Sequence, residues 1–271
     1  MPTDYSLGFI TANFVARVDD YGGGSVDDWH DLAVRTREAY DPREATDWFG
    51  DVADLGFEGV SLWTAHCWYH TADTHAVEAV VDAADDHGLD LYAYAGDFGS
   101  PPAGGEADPR RDWERTFATA ADLGCEWLAG RCEPEHRGLV ADLGGEYGVG
   151  FAYENHPEES VEEVRAAVAG YEGPMGVAFD TGWAGTQGFD AADAIRDLDD
   201  PLCDVHLKDV ESAGAHETCV LGDGVVDVRA CLRALDDIGF DGWVTVEHEP
   251  FDRNPMPEVE RSVERLREWT H

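Results

Sequence analysis

Short runs of β-branched, aromatic and small residues recur along the 271-residue chain. They alternate with longer stretches whose apolar positions fall at helical spacing. The runs lie at 7–13, 59–63, 89–95, 126–129, 149–154, 175–180, 203–207 and 243–247, eight in all. Helical stretches lie at 43–55, 73–87, 108–123, 226–238 and 257–269. The first of these opens after Asp41-Pro42 and stops before Gly56, a start and stop signal pair. In 226–238, Leu232, Leu235 and Ile238 share one face; in the last, Val259, Val263 and Leu266 do. The pattern is weakest across 135–147, where a further helix is needed. The phrases Leu55-Gly56-Phe57, Leu123-Gly124-Cys125 and Ile238-Gly239-Phe240 repeat one solution: a helix stops at glycine and a strand follows.

Eight strand–helix alternations without a linker predict a single domain over 1–271. The fold class is α/β, a single (β/α)8 TIM barrel. Gly22-Gly23-Gly24 and the Pro/Gly stretch at 100–105 read as short loops. A doubly wound open sheet is the alternative. It is disfavoured because no glycine-rich phosphate-binding motif follows the first strand.

Composition adds a constraint. Lys and Arg total 18 against 58 Asp and Glu, a formal net charge of −40. Seventeen of the cations are Arg; only Lys208 is Lys. Such a chain has no general basic field for nucleic acid, and none is expected as a partner. No apolar run reaches a membrane span, so no membrane association is expected. Met1-Pro2-Thr3-Asp4 opens no secretory signal, which leaves a cytoplasmic protein as the expectation. With 43% apolar residues the chain is not disordered. Six cysteines without a CxxC pair read as small buried hydrophobes. The acids are spread over nearly every expected helix rather than gathered in a tail, which suggests a halophile's acidic coat. Molar salt shortens the Debye length to roughly 3 Å and suppresses the self-repulsion of such a coat.

Active sites of such barrels lie at the C-terminal ends of the strands. The fifth strand ends in Tyr153-Glu154-Asn155-His156, the sixth in Phe179-Asp180-Thr181-Gly182. The seventh reads Val205-His206-Leu207-Lys208-Asp209, the eighth Val246-Glu247-His248-Glu249. Glu154, Asp180, His206 and Glu247 thus come from four consecutive units, 26, 26 and 41 residues apart. Closure of the barrel gathers them at one mouth. Three carboxylates together need a cation. One divalent metal ion is the expected cofactor; the ligand set suits Mn2+ best, with Mg2+, Co2+ and Zn2+ as alternatives. Taken singly, each carboxylate also reads as a cap for the next helix.

From Tyr153 to Pro250 the chain resembles the xylose isomerase-like TIM-barrel superfamily, which includes ketose 3-epimerases, inosose dehydratases and endonuclease IV. The resemblance rests on Glu-Asn-His, Phe-Asp-Thr-Gly, His-Leu-Lys-Asp, Leu-Gly-Asp-Gly-Val-Val-Asp and Val-Glu-His-Glu. It implies that Glu154, Asp180, His206 and Glu247 hold the metal and that Glu154 and Glu247 are the catalytic acid/base pair. The implied activity is isomerisation or epimerisation of a sugar or sugar-like ketone. One glutamate takes a proton beside the carbonyl and the other returns it through an enediolate. A lyase on the same site is the alternative, either an inosose-type dehydratase or a 3-keto-glycoside eliminase. The implied partner is a small-molecule sugar or keto-sugar, and a homo-oligomer, dimer or tetramer, is compatible with it.

Three positions depart from the ketose 3-epimerase pattern. Trp183 stands where those enzymes have His, Ser212 where they have Arg, and Ser160 where they have Glu. The metal site reads as intact and the substrate pocket as rebuilt. Candidate substrate contacts are Trp63 and His66 after the second strand, His156 after the fifth, Trp183 after the sixth, and Lys208 and His216 after the seventh. Aromatic rings stack on sugar faces. Lys208, two residues beyond His206, points to the same side of its strand. His66 and Trp63 otherwise read as rim packing, and His216 as a solvated loop residue. A trinuclear-zinc phosphodiesterase of the endonuclease IV kind needs more histidines and a DNA-binding face. A non-catalytic sugar-binding protein is the remaining class.

The charge reading yields a direct expectation. Melting temperature should fall continuously as KCl is lowered from molar to dilute, and an unchanged melting temperature would refute the solvation role assigned to the acidic coat.

Overall fold

A computed structural model describes residues 5–96, 98, 108–171 and 173–270. The stretch expected as a loop at 100–105 and the segment 1–4 lie outside the described residues. Eight parallel strands close into a barrel: β1 (Ser6–Ile10), β2 (Gly59–Trp63), β3 (Asp90–Gly96), β4 (Trp127–Gly130), β5 (Gly150–Glu154), β6 (Met175–Asp180), β7 (Leu202–Leu207) and a strand at Trp243–Val246. A two-stranded antiparallel hairpin, β8 (Asp209–Val210) with β9 (Thr218–Cys219), stands outside the barrel, so the closing strand is β10. The barrel runs β1-β10-β7-β6-β5-β4-β3-β2 and closes on itself. Both faces of these strands are covered, so β2 and β5 are buried at every position and read as near-continuous apolar runs.

The expected helices are present. They are α2 (Thr46–Asp54), α3 (Thr74–His87), α4 (Pro109–Asp122), α5 (Arg137–Tyr147), α9 (Val228–Ile238) and α10 (Met256–Thr270). The weakly patterned stretch 135–147 is therefore helical. Helices α1 (Trp29–Ala39), α6 (Val161–Val168), α7 (Thr181–Gln187) and α8 (Ala191–Leu198) complete the outer layer. Gly88 ends α3 and Gly239 ends α9 in the left-handed conformation, at φ 66° and 67°, where a side chain would be strained. No helix among the described residues is long and apolar enough to cross a membrane. All six cysteines are free; four are buried and Cys203 and Cys219 half-buried.

Among the expected boundaries that shift, two do so for a visible reason. The first strand stops at Ile10 rather than 13, and 11–14 form a 3-10 turn. Side chains take over from the ladder there. Thr11 accepts the Trp63 amide at 2.7 Å. Asn13 donates to the Val246 carbonyl at 3.2 Å and accepts the His248 amide at 2.7 Å, tying β1 to the end of β10. The ninth helix begins at 228, because Asp227 caps it by accepting the Ala230 amide at 2.9 Å.

The barrel interior explains where the site has room. Strand alternation points Ala152 and Glu154 inward together, and likewise Ala178 with Asp180. Ala93, Ala95, Ala129, Ala152 and Ala178 share the interior cluster with Trp63 and Tyr92. The larger cluster lies between strands and helices and carries most of the Phe, Leu and Val. Small residues inside thus leave the C-terminal mouth open to longer side chains.

Asp209 anchors the loop beyond the mouth. Its fully buried carboxylate accepts the amides of Gly222 and Gly224 at 2.9 Å and of Val226 at 3.0 Å. Asp209→Ala leaves three amides without their acceptor and should lower unfolding free energy by about 3 kcal/mol or more, measured by urea titration at fixed salt.

Candidate active site

Glu154 ends β5, Asp180 ends β6, His206 lies within β7 and Glu247 follows β10. Pairing sets them side by side: Asp180 is the register partner of His206, and Thr245, two residues before Glu247, is the partner of His206 from the other flank. One ligand atom from each of the four lies within 4.8 Å of the others, and all four residues are buried. His206 Nδ1 is 2.7 Å from Glu247 Oε2 and 3.6 Å from Glu154 Oε1. Asn155 fixes the rims of β5 and β6, accepting the Asp180 amide at 2.8 Å and donating to its carbonyl at 3.0 Å.

The four groups can hold a divalent ion. Asp180 Oδ1 accepts the amides of Gly182 and Trp183 at 2.6 and 3.0 Å, so the carboxylate also caps α7. Its Oδ2 is buried without a hydrogen bond, a lone pair aimed into the cluster. Three carboxylate oxygens and one imidazole nitrogen form a donor set for a borderline-hard cation.

Lys208 supplies positive charge from the protein itself. Its Nζ lies 2.5 Å from Glu247 Oε1, 3.0 Å from Glu249 Oε2 and 3.5 Å from Asp180 Oδ2. Burial opposes its charge, but Glu247 and Glu249 hold its pKa well above the ordinary lysine value. Burial raises the Asp180 carboxyl to about 6 despite Lys208. Burial likewise works to raise Glu154, yet His156 and His206 hold it well below the usual range. For Glu247, burial is outweighed by Lys208 and His206, which bring it to about 2. Both glutamates are therefore ionised bases around neutral pH.

Trp63, His156, Trp183, Lys208 and His216 line one cavity of about 510 Å³ together with Glu154 and Glu247. His156 stacks on Trp183 with centroids 4.7 Å apart, and its Nε2 lies 3.3 Å from Glu154 Oε1. His216 meets the same indole edge-on at 5.0 Å. His66 is not among the cavity's lining residues. It is buried against Tyr40, Trp48 and Trp63, with Nδ1 3.0 Å from Thr11 Oγ1. Burial depresses its pKa to about 3.

Several lining residues were not singled out in the sequence. Glu249 lies two positions past Glu247 and pairs with Lys208; the alternation that placed Lys208 could have found it. Trp29, whose Nε1 donates to Glu249 at 3.1 Å, opens α1, and Arg131 follows β4; neither had a sequence signal.

A family model described as xylose isomerase-like TIM barrel matches residues 49–269, most of the chain. The chain belongs to that family. It is similar to an inosose dehydratase of Geobacillus thermodenitrificans, 26% identical over 151 residues, 48% of this chain and 51% of that protein. The chain thus spans about half the length of the curated relatives it matches. Its fold resembles that of a 3-keto-D-glucoside 4-epimerase from E. coli, with a TM-score of 0.65 and 17% identity over 85% of this chain and 96% of that one. It also resembles a D-allulose 3-epimerase from Methylomonas sp., with a TM-score of 0.69 and 15% identity over 99% of both chains.

The placement of His66 has a measurable consequence. In the folded chain it stays neutral down to about pH 3, whereas the unfolded chain protonates it near the ordinary value of 6.5. Its contribution is complete above pH 6.5 and is lost as pH falls toward 3, with a slope of up to one proton. His66→Gln should be less stable at pH 7 but lose stability less steeply between pH 6.5 and 4. An equal slope in both proteins would contradict the burial of a neutral imidazole.

Proposed function

We propose that this protein is a divalent-metal-dependent isomerase or epimerase of a sugar or sugar-like ketone. The observation that carries the reading is the pair Glu154 and Glu247, both buried and both lining one cavity beside Asp180 and His206. Held by these four residues, a divalent ion would polarise a substrate carbonyl and acidify the neighbouring C–H.

The residues divide the remaining work. Glu154, kept ionised by His156 and His206, takes the proton; Glu247, ionised at rest, would first take a proton from water entering the cavity and then deliver it to the substrate carbon. Return to the opposite face of the same carbon gives an epimer, and return to the adjacent carbon gives an isomer. Lys208, 2.5 Å from Glu247, offsets the charge of the glutamates and can bind a substrate oxygen. Trp183 offers an apolar ring for the C–H side of a sugar, and the fully buried Trp63 can only back the cavity wall.

A second reading, elimination of a β-substituent, is favoured by one feature. His156 and His216 flank Trp183 in the cavity, where a proton donor would meet a departing hydroxyl or alkoxide. The inosose dehydratase names of the curated relatives agree with this reading.

A panel of keto-sugars and keto-cyclitols in molar KCl with Mn2+, followed by NMR in deuterium oxide, separates the two. Exchange of a C–H without loss of a group supports the first reading, and an enone product the second. Glu154→Gln and Glu247→Gln should each lower turnover by about 100-fold or more. Full activity in both variants would overturn the acid/base assignment.

A further inference from the structure

Beneath the four-residue cluster runs a line of buried polar side chains that the proposed reaction does not use. Tyr92 Oη lies 2.5 Å from Thr245 Oγ1. The Thr245 hydroxyl donates to Asp204 Oδ1 at 2.7 Å. Asp204 Oδ2 lies 3.2 Å from His206 Nε2. Tyr92 stacks flat on Trp243, with centroids 3.9 Å apart, and closes the line from below. Asp204, Thr245 and Tyr92 are all buried.

The line has a direction. An ionised carboxylate only accepts hydrogen bonds. Thr245 therefore spends its one hydrogen on Asp204, and Tyr92 donates to Thr245. The same rule makes His206 Nε2 the donor toward Asp204. The other ring nitrogen, Nδ1, is the one that faces Glu247 and Glu154. Alternation along β7 puts Asp204 and His206 on the same inner face, one beneath the other.

We propose that Asp204 is a positioning residue that keeps the His206 proton on Nε2 and so presents the Nδ1 lone pair to the divalent cation. The inference rests on the metal reading of the site and is independent of the substrate. Asp204→Asn tests it, because the change reverses one hydrogen bond and little else. The Thr245 hydroxyl still needs an acceptor, so the new amide turns its oxygen to Thr245 and its NH2 to Nε2. The proton then moves to Nδ1, where it competes with the metal. Thr245→Val removes the donor that orients Asp204 and leaves the Tyr92 hydroxyl without its acceptor.

Two measurements decide. In wild type loaded with Zn2+, 15N NMR of labelled histidine, with His206 assigned by difference from His206→Gln, should show a protonated Nε2 and a metal-bound Nδ1. Calorimetric titration with Mn2+ alone should show affinity about 10–100-fold weaker in Asp204→Asn and a smaller loss in Thr245→Val. A metal bound through Nε2 in wild type overturns the inference even if Asp204→Asn does not fold. So does a folded Asp204→Asn with wild-type Mn2+ affinity and an unmoved proton, the result of a merely structural role. Failure of wild type to bind either ion overturns the inference together with the metal reading. Metal binding without turnover on any ketone leaves it standing and overturns only the proposed reaction.

Discussion

Like charges forced together out of water set the terms for the rest of this molecule. Glu154, Asp180 and Glu247 bring carboxylate oxygens within 4.8 Å of one another at buried positions. At an effective dielectric near 20, two such charges repel by roughly 3 kcal/mol. His206 and Lys208 answer part of that from inside the cluster. The strand ends that carry these groups are also tied to one another. Asn13 joins β1 to β10, Asn155 joins β5 to β6, and Thr181 donates to the Lys208 carbonyl at 2.7 Å across β6 and β7. Each tether is a buried polar side chain bonded to a neighbouring strand's backbone. Together they hold the barrel's rim where ladder hydrogen bonds have run out.

The acids on the outside answer to different physics. Surface carboxylates repel through solvent and are screened by salt, whereas those at the mouth are sheltered from both. One composition therefore serves two purposes, and only position separates them. The alanines inside the barrel matter to the second purpose. By filling less of the interior than Leu or Ile would, they leave space for a cavity of about 510 Å³ above them.

The sequence made the strand-end residues legible because a period of two fixes which side chains share a face and a parallel barrel gathers its strand ends. Glu154, Asp180, His206 and Glu247 needed nothing more. Lys208 was legible by the same rule, and Glu249 obeyed it unnoticed. His66 was open between a substrate contact and rim packing: it follows a strand and adjoins Trp63, and the 3-10 turn at Thr64–His66 carries it under the rim, against Tyr40 and Trp48. Nothing local encodes that packing, since Tyr40 and Trp48 come from another unit of the barrel. Trp29 reaches Glu249 across 220 positions, and Thr245 reaches Asp204 across 41. Such pairings belong to the closed barrel. The early end of β1 had the same origin, since Asn13 is held by residues near the other end of the chain.

Lys208 carries the chain's only ε-amine, and that amine sits among three carboxylates at the base of the cavity. In most enzymes an amine-directed reagent modifies a crowd of surface lysines, and an active-site label is lost among them. Here the exterior offers no lysine to compete. An acylating or reductively alkylating probe would meet only the terminal amine and Lys208, and because Glu247 and Glu249 hold Lys208 as an ammonium, its labelling would report whether those carboxylates are engaged elsewhere. The same composition that clothes the surface in acid has left the chain's one lysine at the site itself.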